Sequence, residues 1–223
     1  MIIDERFVTY LGSLSCGNTQ LLDQIEAEAL RSDVPIIRRE TQSCLKLFLA
    51  IHKPKRILEV GTAVGFSAIF MKTYNPSDCQ ITTIENYEKR ILAARENIKR
   101  AGMEASITLI AEDAAVALTR LSGTYNFIFM DAAKGQYLSY LPKVMRLLEK
   151  DGLLISDNIL QDGDIIESRY AVKRRNRTIH KRMRSYLYEL THHKELTTAI
   201  LPVGDGIAVS SRCVASHNLG SQI

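Results

Sequence analysis

The stretch from Arg56 to Ser67, Arg-Ile-Leu-Glu-Val-Gly-Thr-Ala-Val-Gly-Phe-Ser, limits what this chain can fold into more than any other. Ile57, Leu58 and Val60 are aliphatic and run directly into a glycine-punctuated turn. Beyond it Phe66, Ile69, Phe70 and Met71 recur at helical spacing, so the stretch reads as strand, tight loop and helix start. Such a loop aims free backbone N–H groups and the positive end of a helix dipole at whatever sits above the strand.

Gly61 and Gly65 give G-x-x-x-G, preceded by Glu59. This is neither the G-x-G-x-x-G of dinucleotide binders nor a phosphate-cradling G-x-x-x-x-G-K-[ST] loop, which counts against a nicotinamide oxidoreductase. Glu59 would repel a pyrophosphate but suits a cationic group such as an amino acid's ammonium. A βα turn without a ligand is the competing reading.

A chain of 223 residues with 46% hydrophobic content is expected to form one domain with a sizeable core. No stretch approaches the roughly 18 apolar residues of a membrane span, and Met1-Ile2-Ile3-Asp4-Glu5-Arg6 lacks the order of a signal peptide. Cys16, Cys44, Cys79 and Cys213 form no C-x-x-C pair, so reduced thiols in a cytoplasmic protein are expected, not a zinc site. The net charge of +4 is unevenly spread. Arg169, Lys173, Arg174, Arg175, Arg177, Lys181, Arg182 and Arg184 lie between Glu167 and Glu189 with no acid among them, and the remainder is mildly acidic.

Residues 1–55 read as a helical cover. Phe7, Val8, Tyr10 and Leu11 make one apolar stripe, and Leu21, Leu22, Ile25 and Leu30 a second. Leu45, Leu47, Phe48, Leu49 and Ile51 carry a third helix, with breaks at Pro35 and Pro54. From residue 56 strands and helices alternate: strands at 57–60, 80–84, 107–110, 125–130 and 152–156, helices at 66–74, 89–101, 114–121 and 137–148. The pattern is that of a doubly wound α/β domain over 56–212, with a parallel sheet and helices on both faces. A basic helix is expected over 169–193, then strands at 196–203 and 207–211 joined by Gly204-Asp205-Gly206. The tail, 213–223, has no periodic pattern.

Ligands bind open parallel sheets at the carboxyl ends of the strands, and here every one of those ends carries an acid. Glu59 stands before the glycine loop, Glu85 where a carboxylate can accept ribose hydroxyls, and Glu112-Asp113-Ala114 where an adenine edge could sit. Asp131 ends the fourth strand and Asp157-Asn158 the fifth. Acids at such positions also cap helices, which is the bland alternative. Asp131, Asp157 and Asn158 supply two carboxylates and an amide oxygen, a donor set for a hard dication such as Mg2+, unless Asp157 and Asn158 merely turn the chain. Lys134, three residues past Asp131, can serve as general base when partly desolvated, or stay a solvated loop lysine.

In this order, Glu59-Val60-Gly61-Thr62-Ala63-Val64-Gly65, Glu85, Asp131-Ala132-Ala133-Lys134 and Asp157-Asn158 resemble the cation-dependent (class I) O-methyltransferases that use S-adenosylmethionine, a family that includes catechol and caffeoyl-CoA enzymes. The resemblance implies a Rossmann-like, seven-stranded sheet whose last hairpin is antiparallel, and a homodimer. It places Glu59 and Gly61 at the methionine end of S-adenosylmethionine, Ser67 at its carboxylate, Glu85 at the ribose, and Asp113 and Ala114 beside the adenine. Ile37 would touch the cofactor near the entrance. Asp131 would bridge the cofactor and Mg2+ regions, Asp157 and Asn158 would complete the metal ligands, and Lys134 falls where the family has its base.

The basic segment bears on the acceptor. On a helix Arg174, Arg177, Lys181 and Arg184 share one face and Val172, Ile179, Met183, Tyr186, Leu187 and Leu190 another, so arginines could be offered to phosphates. An ordinary solvated face is the alternative. Within the family the chain most resembles the bacterial branch that methylates 5-hydroxyuridine at the anticodon wobble position of tRNA. That resemblance implies the anticodon loop as partner, held by Arg174, Arg175, Arg177, Lys181 and Arg184. A small-molecule methyltransferase of the catechol or caffeoyl-CoA type is the competing enzyme. A nucleotide-binding regulatory module without catalysis is a third class, disfavoured by Asp131, Lys134, Asp157 and Asn158 occurring together.

Overall fold

The computed structural model describes residues 4–168 and 170–213. Strands β1 (Arg56–Val60), β2 (Gln80–Glu85), β3 (Ile107–Ala111), β4 (Tyr125–Met130), β5 (Leu148–Ser156), β6 (Leu196–Leu201) and β7 (Ile207–Arg212) form one sheet. Their order is β3-β2-β1-β4-β5-β7-β6. The first five pair in parallel, and β7 runs antiparallel to both β5 and β6. The chain reverses its direction of travel across the sheet between β1 and β4, and that switch point opens a crevice at the strands' carboxyl ends.

Both faces of the sheet are covered, and the two cores read off alternate residues of each strand. Leu58, Val60, Ile128, Met130 and Leu154 point to one side, where α6 (Ala114–Arg120), α7 (Tyr137–Leu147) and α8 (Arg177–His192) pack. Ile57, Phe127, Phe129 and Ile155 point to the other, against α2 (Gln20–Arg31), α3 (Arg39–His52), α4 (Phe66–Tyr74) and α5 (Glu88–Arg100). Helices α2 and α3 lie on this face, with Leu22, Ile25, Leu45 and Leu49 fully buried there. Helix α1 (Glu5–Ser13) is different: it buries no residue, and Phe7, Tyr10 and Leu11 are exposed.

Two boundaries depart from expectation by more than two residues. β5 starts at Leu148, four residues before 152, because a register shift against β4 and a left-handed Asp151 (φ 61°) let Leu148 pair with Tyr125. The basic helix starts at Arg177, not at 169. The stretch before it offers only Val172 to the core, too little apolar surface to hold a helical turn. Arg174–Asn176 instead form a short 3-10 turn, and Arg177 donates to the Val172 and Tyr170 carbonyls. Arg169 and the tail from residue 214 lie outside the described residues.

Candidate active site

A cleft of about 670 Å³ opens at the switch point. One side is walled by Ile37, Gly61, Glu85, Asp113 and Ala114, and the other by Asp131, Lys134, Asp157 and Asn158. Glu59 and Ser67 do not line it. Both are buried behind the glycine loop, Glu59 in the middle of the sheet and Ser67 in the first turn of α4.

The glycine loop is shaped by contact as well as by turn geometry. Gly61 has φ 103°, and a Cβ there would stand 2.0 Å from the main-chain oxygen of Asp131. Only glycine lets the end of β1 lie this close to the end of β4. Glu85 carries three backbone bonds, from Ala63 N–H (2.9 Å) to Oε2 and from Asn86 and Tyr87 N–H (3.0 Å each) to Oε1. It therefore ties the β2 end to the glycine loop while facing the cleft. Asp113 caps α6 by accepting from Ala115 N–H at 2.8 Å, so here the capping role and a place in the cleft wall coincide.

Glu59 has one oxygen bonded to the Thr83 hydroxyl and the other, Oε1, with no partner among the described residues. Burial pushes its carboxyl up to about 7, with the charges of Asp131 and Glu85 adding to the rise and the Ser67 and Thr83 hydroxyls opposing it. An orphaned, buried acid beneath a glycine loop fits a cationic amino group above it, as the ammonium of S-adenosylmethionine would supply.

The acid pair on the far side is equally uncompensated. Asp131 Oδ1 accepts from Asn158 Nδ2 at 3.0 Å, and Asp157 Oδ1 accepts from Asn158 N–H at 2.8 Å. Asn158 reaches both acids from a left-handed backbone (φ 60°). Burial, with the negative charges of Asp131 and Asp205 adding to it, raises the Asp157 carboxyl to about 7, against the Asn158 N–H and Lys134. Burial likewise raises Asp131, against Asn158, Lys134 and Arg90. Two crowded carboxylates short of positive charge, with an amide beside them, suit a divalent cation. Among the described residues no three His, Cys, Asp or Glu side chains converge as a ready-made metal cage, so the candidate set depends on Asn158 for its third donor.

The spacing between these strand ends is reinforced from below by Tyr137, which is fully buried and whose hydroxyl reaches the carbonyls of both Met130 and Asp157. Lys134 does not stand alone: its Nζ lies 3.2 Å from Asp205 Oδ2. Asp205 comes from the β6–β7 turn, which antiparallel pairing of β7 with β5 returns to this rim. Arg38 bonds Asp162 across the cleft mouth at 2.7 Å. Sequence reasoning passed over Asp205, Arg38 and Asp162. An acid flanked by two glycines at the turn of a returning hairpin was the available signal for the first.

The basic segment grips both loops beside the acids. Arg182 donates to the Gly135 carbonyl (3.1 Å), next to Lys134, and Arg184 to the Ile165 carbonyl (3.2 Å) in the loop after Asn158. Arg174 does not share a helical face with Arg177, Lys181 and Arg184 as expected, since it sits with Arg175 on the preceding 3-10 turn. Arg177 is spent on main-chain carbonyls, whereas Lys173, Arg174, Arg175 and Lys181 are exposed, without a bond among the described residues.

A family model described as O-methyltransferase matches residues 13–213. The chain belongs to this O-methyltransferase family. A caffeoyl-CoA O-methyltransferase of Stellaria longipes is 30% identical over 176 residues, covering 75% of this chain and 72% of that protein. A catechol O-methyltransferase of Niastella koreensis is 32% identical over 127 residues, 55% of this chain and 58% of that protein. Among solved structures, an SAH-bound methyltransferase of Podospora anserina superposes with a TM-score of 0.84 at 26% identity, covering 94% of this chain and 95% of that one.

Proposed function

We propose that this O-methyltransferase transfers the methyl group of S-adenosylmethionine to the 5-hydroxyl of 5-hydroxyuridine in the tRNA anticodon wobble position, giving 5-methoxyuridine, with Mg2+ at Asp131, Asp157 and Asn158. The observation that carries this acceptor is the exposed cluster Lys173, Arg174, Arg175 and Lys181, on a segment bonded to the loops on both sides of the acid pair. Phosphates held there would bring an unstacked base to the cleft. The base's O4 and O5 are adjacent oxygens, as in a catechol.

Mg2+, when bound, lowers the pKa of a chelated hydroxyl. Glu59 and Glu85 orient the donor, Gly61 lets it approach Asp131, and Lys134 takes the hydroxyl proton. Alignment of oxygen, methyl and sulfur supplies most of the rate. Methylation of tRNA carrying 5-hydroxyuridine, run beside catechol and caffeoyl-CoA, tests the reading. Charge reversal at Arg174, Arg175 and Lys181 is expected to abolish tRNA methylation and leave SAH binding intact.

The relatives' names favour a second reading over tRNA, a small catechol or caffeoyl-CoA type acceptor. Turnover of such a diol, indifferent to those reversals and with tRNA refused, would establish it.

A further inference from the structure

Asp205 is a buried acid to which the methyl-transfer chemistry assigns no task. It is 3% exposed and lies in the turn between β6 and β7. The turn is wedged on both sides: a Cβ on Gly204 would stand 2.6 Å from Thr41 Oγ1, and one on Gly206 2.2 Å from Leu160 Cγ. Main-chain bonds stitch it to the loop after Asn158, from Leu160 N–H to the Asp205 carbonyl (3.0 Å) and from Ile159 N–H to the Gly206 carbonyl (3.1 Å). Both carboxylate oxygens are engaged. Oδ1 accepts from Asp162 N–H, and Oδ2 faces Lys134 Nζ at 3.2 Å.

Lys134 has no comparable constraint of its own. It sits on a three-residue 3-10 turn, its side chain is 35% exposed, and Asp205 is the one hydrogen-bond partner of its Nζ among the described residues. A four-carbon stem in that setting would sample solvent freely. We propose that Asp205 is a positioning residue, a fixed carboxylate that accepts a hydrogen bond from Lys134 Nζ and so holds that amine, in the neutral form that takes the proton, beside Asp131 and Asp157. The inference rests on the reading of Lys134 as the proton acceptor. Each Asp205 oxygen already has a partner, Asp162 N–H on one and Lys134 Nζ on the other, and the cation set is assigned to Asp131, Asp157 and Asn158 without it.

The test uses the full chain, with Asp205→Asn, Asp205→Glu, Lys134→Ala and the double variant Lys134→Ala/Asp205→Asn. In the protein without substrates, acetylation by an amine-reactive reagent is followed at Lys134 by peptide mass spectrometry, with exposed Lys150 as internal reference. Asp205→Asn is expected to speed labelling of Lys134 several-fold, and Asp205→Glu to restore most of the protection. In turnover, kcat should fall on the order of 10–100-fold with little change in either KM. The same substitution should cost nothing further in the Lys134→Ala background.

Unchanged labelling of Lys134, an equal loss in the Lys134→Ala background, or weakened Mg2+ binding by Asp205→Asn would each overturn the proposal. Should Asp205→Asn not fold, the Asp205→Glu protein supports the same labelling measurement, and protection restored to neither variant counts against the idea. Wild-type activity in Lys134→Ala would remove Lys134 as the base, while the labelling result would still decide whether Asp205 holds it.

Discussion

The hydroxyl of Tyr137 stands 3.1 Å from the main-chain oxygen of Asp157 and an equal 3.1 Å from that of Met130. One hydroxyl within reach of both carbonyls reinforces the Asp157 N–H to Met130 carbonyl bond (3.0 Å) that joins these strand ends, so a side chain that never sees solvent helps to space the acids that follow β4 and β5. Tyr137→Phe leaves the Asp157 carbonyl without its donor, while Met130 keeps the Asp157 N–H at 3.0 Å, and should cost about 1–3 kcal/mol in stability. It should also lower kcat more than donor affinity. Urea unfolding and steady-state kinetics check the two halves; an unaltered kcat would disconnect Tyr137 from the chemistry.

Gly61→Ala should be among the most damaging single substitutions in the cleft wall. The added methyl meets a main-chain oxygen that no rotamer change can move, and φ at this position already excludes most residues. Loss of SAH binding in calorimetry, together with a lowered melting temperature, is the expected outcome. Binding at wild-type strength would show that the β1 and β4 ends can part without consequence.

Glu59 predicts an unusual pH dependence. Its folded value of about 7 lies above the ordinary 4.5, so between these limits the folded protein keeps a proton that the unfolded chain has released. Its contribution to stability is therefore full below the ordinary value and is lost as pH rises to about 7, by up to about 1.4 kcal/mol per pH unit. Glu59→Gln should flatten that part of the slope in urea midpoints taken from about pH 5 to 8. SAH, whose ammonium suits the ionised acid, should bind the wild type more tightly as pH passes about 7. An identical slope in the two proteins would rule Glu59 out as the source.

Asp157 sets function against stability. Burial and the charge of Asp131 push its carboxyl up to about 7, so near pH 8 its ionised form is a cost to the metal-free fold. Asp157→Asn keeps the shape and removes one of two crowded charges. Thermal unfolding in chelator should occur at a higher temperature than in the wild type, while divalent-dependent methylation falls by at least about 100-fold. A variant that is both less stable and fully active would refute the assignment.

Much of this was legible in the chain because it is local. Buried apolar runs such as Ile57-Leu58 and Phe127-Ile128-Phe129 mark central strands wherever they occur, and the glycine loop announces its own turn. Strand-end acids could be placed on one rim because parallel connections leave no other place for them. The partner of Lys134 was hidden because 71 residues separate it from Asp205, and the turn that returns Asp205 to the rim reads as glycine punctuation. The basic helix began late for a different reason: charge alone marks no helix, and only apolar residues that meet the core decide where one starts. Glu59 and Ser67 flank the glycine loop, on β1 and α4, yet which side of it a side chain faces is fixed by tertiary contacts that periodicity does not carry.

The absence of a side chain at Gly61 has a consequence for how such a molecule can diversify. With the glycine loop and the end of β4 in contact through bare backbone, neither can drift without dragging the other. New acceptors have to be accommodated in the chain's outer margins, around Asp162 and ahead of α8, where inserted or altered residues leave the reacting atoms undisturbed.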